Sequence, residues 1–223
     1  MRTTRLLKRH PENPNLHLHH DADFRGLPVM QEHSPLIREC LEALYSITEL
    51  SLQDHREVFA VRFDLRFPEW GEPSTWSSNR VMTRFVESLQ ERIQQARSRA
   101  ARVRGRAHAT TVRWMWVREY GRESGYSKPH YHGVLLLNRD AFNTLGAYEL
   151  ERDNLYSRLV KAWASALGVV DWQAQGLVHI PANACYCITA EDYSEYFHRM
   201  SYLCKSKSKV YGDGQHAYGS SKE

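Results

Sequence analysis

Two histidines separated by one residue precede an apolar run: His130, Tyr131 and His132 are followed by Gly-Val-Leu-Leu-Leu. Such a run favours a β-strand, in which side chains two residues apart project from the same side. The two imidazoles are therefore placed as a pair of metal ligands. Farther along the sequence, Tyr202 and Lys205 are separated by about one helical turn. Together the two motifs predict metal-assisted cleavage of DNA with a tyrosine as the nucleophile.

The strand before the histidine pair supplies a third candidate ligand. Residues 112–120 are typical of a strand, and the Gly- and Ser-containing segment 121–129 is typical of a hairpin loop. In an antiparallel hairpin the residue before the loop faces the residue after it. We therefore expect Glu119 beside His130 and His132, as the third metal ligand.

Asp64 is the reserve candidate for that position. It lies with Arg62 and Arg66 on the polar side of a predicted strand over residues 58–67, whose other side is apolar. Asp64 could bind the metal, orient a histidine through its second ring nitrogen, or pair with one of the arginines. Of these three roles, the sequence favours the simple ion pair.

Two other sets of residues could bind a metal. His17 and His19 repeat the histidine spacing, but they lie among prolines and asparagines and precede no apolar strand, which favours a solvated arm. A structural zinc site could combine Cys185 and Cys187 with the histidine pair described above. Each of those pairs has one intervening residue, whereas structural zinc sites typically have about two to four.

Hydrophobic periodicity predicts the elements that position these residues. The predicted elements are a helix from residue 35, a strand over 58–67, a helix through 81–93, strands over 112–120 and 130–137, a helix over 150–167, a strand over 176–181, and a helix from Glu191 to beyond Lys205. From the first strand onward the order is strand, helix, strand, strand, helix, strand. This order predicts an α+β fold with a ferredoxin-like, split βαβ antiparallel sheet, helices on one face and the other face available.

The last predicted helix carries the candidate nucleophile. A capping box at Thr189 favours its start, and Phe197 and Met200 lie on its apolar face. At 100° per residue, Tyr202 and Lys205 fall on the opposite side. Tyr202 is therefore not expected to be a core residue.

Composition limits the classes of protein to which the chain could belong. The 223 residues carry a formal charge of only +4, but basic residues concentrate in two strips that could bind phosphate or could be a solvated helix end and a loose tail. The strips are Arg97, Arg99, Arg102, Arg104 and Arg106, and Lys205, Lys207 and Lys209. Four cysteines, no secretory signal and no long apolar run predict a cytoplasmic protein with no membrane partner.

The length is suited to one main domain. We predict an N-terminal arm or irregular cover over residues 1–34, an endonuclease-like domain with its packing helix over residues 35–211, and a flexible C-terminal tail over residues 212–223.

The order of motifs resembles a known superfamily. An apolar strand, a His-hydrophobic-His strand and a Tyr-x-x-Lys helix are similar to the HUH endonucleases that carry a single tyrosine. The wider pattern resembles inovirus-type phage replication proteins and their YagK/YfjJ-type prophage relatives over about residues 58–209. The segments that carry it are 61–66 (VRFDLR), 116–119 (WVRE), 129–132 (PHYH) and 200–205 (MSYLCK). Tyr131 departs from the superfamily, where a smaller aliphatic residue is common.

The resemblance implies an HUH endonuclease fold and an activity. Single-stranded or stem-loop origin DNA would be nicked through a 5′-phosphotyrosine on Tyr202, with Lys205 offsetting charge, and later rejoined to initiate rolling-circle replication. His130, His132 and Glu119 would hold Mg²⁺ or Mn²⁺, and a host helicase and polymerase would be partners. A catalytically silent DNA-binding protein of the same fold remains the alternative.

Backbone contacts to DNA are expected from basic residues near the site, namely Arg62, Arg66 and Lys128. Trp114 and Trp116 could stack on bases, but we expect them to fill the core beneath the helices.

Overall fold

The computed structural model describes residues 6–70, 78–120 and 128–221. The predicted hairpin loop over 121–129 lies largely outside these ranges.

Short strands and one helix form the first part of the described chain. They are β1 (Leu18–His19), β2 (Asp23–Phe24), β3 (Leu27–Pro28), β4 (Leu36–Ile37) and α1 (Arg38–Asp54). The middle of the chain contains β5 (Val58–Leu65), α2 (Arg80–Arg104), β6 (Arg113–Tyr120), β7 (Pro129–Asn138), α3 (Leu155–Leu167) and α4 (Asp171–Ala174). The last elements are β8 (Val178–His179), β9 (Cys185–Ile188), α5 (Ser194–Ser201), a 3₁₀ turn (Tyr202–Cys204) and β10 (Tyr218–Ser220).

Within the described residues the main sheet has the order β10-β6-β7-β5-β8, and β9 also pairs with β5. All neighbouring strands are antiparallel. Strands β5 and β6 therefore run in the same direction with β7 between them, and α2 connects them. This is the split βαβ order that the sequence predicts. The predicted α+β class with an antiparallel sheet is confirmed.

Helices cover both faces of the sheet, so the prediction of helices on one face is wrong. Helices α2 and α3 pack on the face that carries Phe63 and Leu135, and α1 and α5 pack on the face that carries Ala60, Val134 and Leu136. The reason lies in the strands. Residues 58–61 are apolar without alternation, so both of their faces must be buried. Only from Arg62 onward does one face become polar.

Three predicted helices differ from the observed ones at their ends. Helix α1 begins at Arg38 because Leu36 and Ile37, both buried, pair as β4 with β1. The predicted helix from 191 to beyond 205 is replaced by α5, which ends at Ser201, and the 3₁₀ turn. Helix α5 begins at Ser194, later than predicted, because the Asp192 amide donates to Thr189 Oγ1 in a separate turn.

Helix α3 begins at Leu155, five residues after the predicted start at residue 150. A capping box between Asn154 and Ser157 sets this start, since the Ser157 amide donates to Asn154 Oδ1 at 2.9 Å.

The segments before and after the predicted domain pack on it. Leu16, Phe24 and Val29 are buried in the same core as α1 and α5, and the Met30 amide donates to Ser201 Oγ at 2.9 Å. The C-terminal segment differs from the flexible tail that the sequence predicts, because β10 pairs with β6 along Met115–Val117. No helix in the described part of the chain has the length and apolar character needed to cross a bilayer.

Candidate metal and tyrosine site

Three neighbouring strands bring the candidate ligands to one place. The register sets Glu119 of β6 opposite His130 of β7, and Asp64 of β5 opposite His132. Opposed residues in an antiparallel pair share a face of the sheet. All four side chains lie on the face that α1 and α5 cover, near the end of β7 that begins at Pro129.

Glu119, His130 and His132 form a compact group of potential metal ligands. Each offers one ligand atom, and these atoms lie within 4.8 Å of one another. Glu119 Oε2 is 3.5 Å from His132 Nε2. Two imidazole nitrogens and one carboxylate oxygen are a donor set that divalent metal ions accept, so the residues fit the predicted metal.

Asp64 holds His132 in place. His132 Nδ1 lies 2.6 Å from Asp64 Oδ1, whereas Arg62 Nε is 3.9 Å from the same oxygen. A carboxylate only accepts, so Nδ1 carries the hydrogen and Nε2 is directed toward Glu119. Of the three roles considered for Asp64, the structure shows the orienting one, and the ion pair favoured from the sequence is the longer contact.

The charges of the group depend on its burial and contacts. Burial, reinforced by the nearby His132, lowers the pKa of His130, which favours the neutral imidazole that a metal requires. Burial alone would lower the pKa of His132, but hydrogen bonds to Asp64 and Glu119 outweigh it and raise that pKa.

Glu119 is held as a carboxylate by a set of cationic and hydrogen-bonding partners. Lys205 Nζ lies 2.7 Å from Glu119 Oε2 and Lys209 Nζ lies 3.3 Å from Oε1, while the Ser208 hydroxyl donates to Oε2 at 2.9 Å. Burial opposes ionisation, but His132, Lys209 and Lys205 together hold the pKa of Glu119 well below its ordinary value. Lys205 and Lys209 are buried and do not form a loose basic tail, although Lys207 is exposed.

Tyr202 lies beside this group, half-buried, in the turn that follows α5. Lys205 Nζ is 3.6 Å from the centre of its ring, and the Arg62 guanidinium carbon is 4.8 Å from it. The His33 ring contacts the tyrosine edge-on at 4.7 Å, and the His132 ring is 6.1 Å away. The structure thus brings the predicted nucleophile, its lysine and the predicted ligands together.

The other predicted DNA contacts are dispersed. Arg62 is part of the site, and Arg66 is exposed beyond the end of β5. Lys128 Nζ donates to the backbone carbonyls of Pro68 and Glu69 at 2.6 and 2.7 Å, so it is engaged with that loop.

The two tryptophans contribute to the core, as predicted. Trp116 is buried among the residues packed under α2 and α3, and Trp114 is partly buried against them.

The alternative metal sites are not assembled in the described part of the chain. Cys185 and Cys187 pair with Val61 and Phe59, so they lie on the opposite face of the sheet from His130 and His132. They therefore cannot share a metal with the histidines.

The second histidine pair contacts helix α1 and the arm. His17 Nδ1 is 2.6 Å from Glu39 Oε1, and His19 Nε2 is 2.8 Å from the Asp23 carbonyl oxygen.

Comparison with known proteins places the chain in a family. The family model described as the YagK/YfjJ C-terminal domain matches residues 19–221. The chain belongs to the YagK/YfjJ family. It is similar to the uncharacterized protein YagK of Escherichia coli K12, at 35% identity over 74% of this chain and 83% of that protein. It is also similar to the uncharacterized protein YfjJ of the same strain, at 29% identity over 85% and 95% of the two chains. No solved structure matches the chain significantly.

Sequence reasoning missed three residues of the site in this YagK/YfjJ-family chain. Ser208 and Lys209 reach Glu119 from a segment that follows the predicted helix, and His33 reaches Tyr202 from the arm. The family match begins before His33, so it spans this part of the arm together with the sheet.

Proposed function

We propose that this chain is a metal-dependent, sequence-specific nuclease and strand transferase of the HUH type, which nicks single-stranded DNA through a 5′-phosphotyrosine. The joining of ends that follows would initiate rolling-circle replication of a phage, prophage or plasmid. One observation carries the proposal. Lys205 lies between the ring of Tyr202 and the carboxylate of Glu119, so a half-exposed phenol stands next to a group of metal ligands.

His130, His132 and Glu119 are the residues that would hold Mg²⁺ or Mn²⁺, and Asp64 orients His132 toward them. A bound ion would polarise a non-bridging oxygen of the scissile phosphate. Glu119 is already ionised through its cationic partners, and burial keeps His130 in its neutral form.

Tyr202 is the nucleophile. Its oxygen forms a bond to phosphorus while the bond from phosphorus to the 3′ oxygen breaks, and the departing oxygen takes up a proton as a 3′ hydroxyl. The phenolic proton passes to water. Lys205 and Arg62, whose charged groups face the tyrosine ring, stabilise the negative charge that develops on the phenolate and the phosphate.

The phosphotyrosine preserves the energy of the phosphodiester bond. A 3′ hydroxyl that attacks the phosphorus breaks the bond to Tyr202 and restores a continuous strand, so joining needs no nucleotide cofactor. The 3′ hydroxyl released in the first step is a primer, which makes a host polymerase and helicase the expected partners.

Single-stranded DNA fits the site better than duplex DNA. Tyr202 is half-buried, with Lys205, Arg62 and His33 around its ring. A phosphate in a stacked duplex cannot easily approach such a recessed group, whereas a strand exposed in a stem-loop can.

A catalytically silent DNA-binding protein is the second candidate, and one observation favours it. Glu119 is neutralised by Lys205 and Lys209 within the chain, so its charge is compensated without a metal ion. A silent protein would bind DNA without forming a covalent product.

The test uses a pool of single-stranded oligonucleotides of random sequence with Mn²⁺, followed by denaturing electrophoresis and sequencing of the captured strands. We expect the native protein to form a covalent adduct with a restricted set of sequences. Tyr202→Phe should form none, while its DNA affinity changes by less than about twofold, because only the nucleophilic oxygen is lost.

Tyr193→Phe is the matched control, since its hydroxyl donates to Glu49 at 2.7 Å, away from the ligands. If the adduct persists in Tyr202→Phe and is lost in the control, the assignment of Tyr202 as the nucleophile is wrong. Binding without any adduct in the native protein would support the silent alternative.

A further inference from the structure

An open groove of about 550 Å³ lies between the end of α2 and the start of α3. Its size is within the range of ligand-binding clefts. Its lining includes three of the five arginines of the strip over residues 97–106, and one further arginine from α3. The lining charged residues are Arg97, Arg99, Arg104, Arg158 and Asp153.

The groove has an excess of positive charge. Asp153 is its single lining acid, and that carboxylate is shared by Arg99, at 3.2 Å, and Arg158. Arg97 donates to the backbone carbonyls of His108 and Ala141 and has no acidic partner within the described ranges. Arg104 likewise forms no ion pair with an acid in the described part of the chain. Four guanidinium groups therefore face one carboxylate.

Arg158 lines this groove and pairs with Asp153, but it leaves one of its guanidinium donors without a partner. Its side chain is more than nine-tenths buried, yet its Nε has no hydrogen-bond partner among the described residues. A buried, unpaired guanidinium donor is costly, and such groups are rare in folded proteins. Burial and the neighbouring Arg99 and Arg97 lower the pKa of Arg158, which is consistent with crowding of like charges.

The groove is separate from the candidate active site. It is formed by residues of α2 and α3, on the face of the sheet that carries Leu135 and Leu137, whereas His132 lies on the other face. It also adjoins residues 141–144, which follow the end of β7 at Asn138. Six residues of strand separate His132 from Asn138, which is about 20 Å. A phosphate in the groove cannot be the phosphate that Tyr202 attacks.

We propose that this groove binds phosphates of the DNA backbone at a distance from the cleavage site, independently of base sequence. The proposal rests on the proposed function for the identity of the ligand. Planar guanidinium groups match phosphate oxygens in geometry and charge. Phe142, the groove's aromatic side chain, lies beneath the guanidiniums of Arg97 and Arg158 and so is covered rather than open to a base. Recognition would therefore involve phosphates and give no preference for sequence.

The test measures equilibrium binding of single-stranded oligonucleotides of two unrelated sequences to Tyr202→Phe protein across a range of salt concentrations. Cleavage is not needed, so failure of this inference is distinguishable from failure of the proposed chemistry. Arg104→Gln should weaken binding severalfold for both sequences and reduce the salt slope by about 0.7, which corresponds to one lost phosphate contact on a single strand. Asp153→Asn should strengthen binding, because it removes the opposing charge.

Arg102→Gln is the matched control. It lies two residues away on the same helix and is exposed, but it does not line the groove. The DNA affinity of the Arg102→Gln protein should change by less than about twofold. Equal losses in Arg102→Gln and Arg104→Gln would show a diffuse basic strip and overturn the proposal.

Inorganic phosphate and a mononucleotide are the competing probes. If Arg104→Gln weakens the binding of these small anions but leaves DNA binding unchanged, the groove is a small-anion site and the proposal is wrong. Opposite changes in the arginine and aspartate variants cannot be explained by unfolding, which would weaken binding in both.

Discussion

The contacts of Glu119 and Asp64 distinguish a candidate metal ligand from a residue that orients a ligand. Two lysines and a serine hold the Glu119 carboxylate in place, whereas Asp64 contacts Nδ1 of His132, the ring nitrogen directed away from Glu119. A carboxylate in direct contact with an ion contributes charge, and one that orients a ligand contributes geometry. The two acids should therefore differ when each is converted to its amide.

We expect Glu119→Gln to raise the metal concentration needed for half-maximal cleavage more than Asp64→Asn does. Loss of an outer partner typically costs about 10–100-fold in metal affinity, which is the expectation for Asp64→Asn. DNA binding should change little in either variant. The measurement is adduct formation against Mn²⁺ concentration. Near-normal activity in Glu119→Gln together with a raised metal requirement in Asp64→Asn would transfer the third-ligand role to β5.

Local register made part of the site predictable. Glu119 and His130 belong to one hairpin, so the pairing of their strands follows from alternation and loop position alone. Lys209 is 90 residues from Glu119 and His33 precedes Tyr202 by far, so no short-range pattern could join them. In the sequence alone, Lys209 is typical of a basic tail and His33 is typical of a polar arm.

At the scale of elements, the turn that carries Tyr202 is held by the segment over residues 30–36. The Ser206 amide donates to the Pro35 carbonyl at 3.1 Å, and Lys205 forms an isolated bridge with Leu36. The Met30 amide donates to the Ser201 hydroxyl just before the turn. Residues 30–36 thus fix the position of the candidate nucleophile and do not merely cover the sheet.

We expect His33→Ala to slow adduct formation about tenfold or more, because the tyrosine ring loses an edge-on partner and a small displacement of a reacting group is costly. The single-turnover rate should fall, while the DNA affinity should be nearly unchanged. His20→Ala is the matched control, since its ring contacts the Leu7 carbonyl in the arm. Equal rates in the two variants would remove the positioning role.

The order of the long elements was predictable, but several of their ends and the short strands were not. Strands β5, β6 and β7 and helix α2 are each eight or more residues long, and each contains either a continuous apolar run or regularly spaced apolar positions. Strands β9 and β10 have four and three residues, too few for a period to appear, and they exist because β5 and β6 offer open edges.

For the whole molecule, two apolar cores enclose the sheet, and the candidate metal ligands belong to neither core. The cores pack α2 with α3 and α1 with α5, and neither depends on the candidate ligands. Glu119 is neutralised by lysines of the same chain. The fold should therefore be stable without a metal ion.

We expect a chelator to abolish cleavage while lowering Tm by less than about 4 °C, which corresponds to roughly 1 kcal/mol for a chain of this size. Differential scanning calorimetry with and without chelator gives the comparison. Cys185→Ser with Cys187→Ser is the companion variant and should retain its Tm. A large fall in Tm on chelation, reproduced by the cysteine variant, would instead indicate structural zinc.

The pairing of the C-terminal segment with β6 has a consequence for self-association. Backbone bonds from Ala217, β10 and Ser221 occupy the outer edge of β6, from Trp114 to Arg118. Uncovered, that edge would present unpaired amides and carbonyls, which are a template for a strand of a second molecule. A chain shortened to residue 216 should keep both cores yet form oligomers, detectable as increased light scattering. Residues 217–221 would then protect the protein from aggregation, and their proteolytic removal would expose the edge of β6 to strand pairing between molecules.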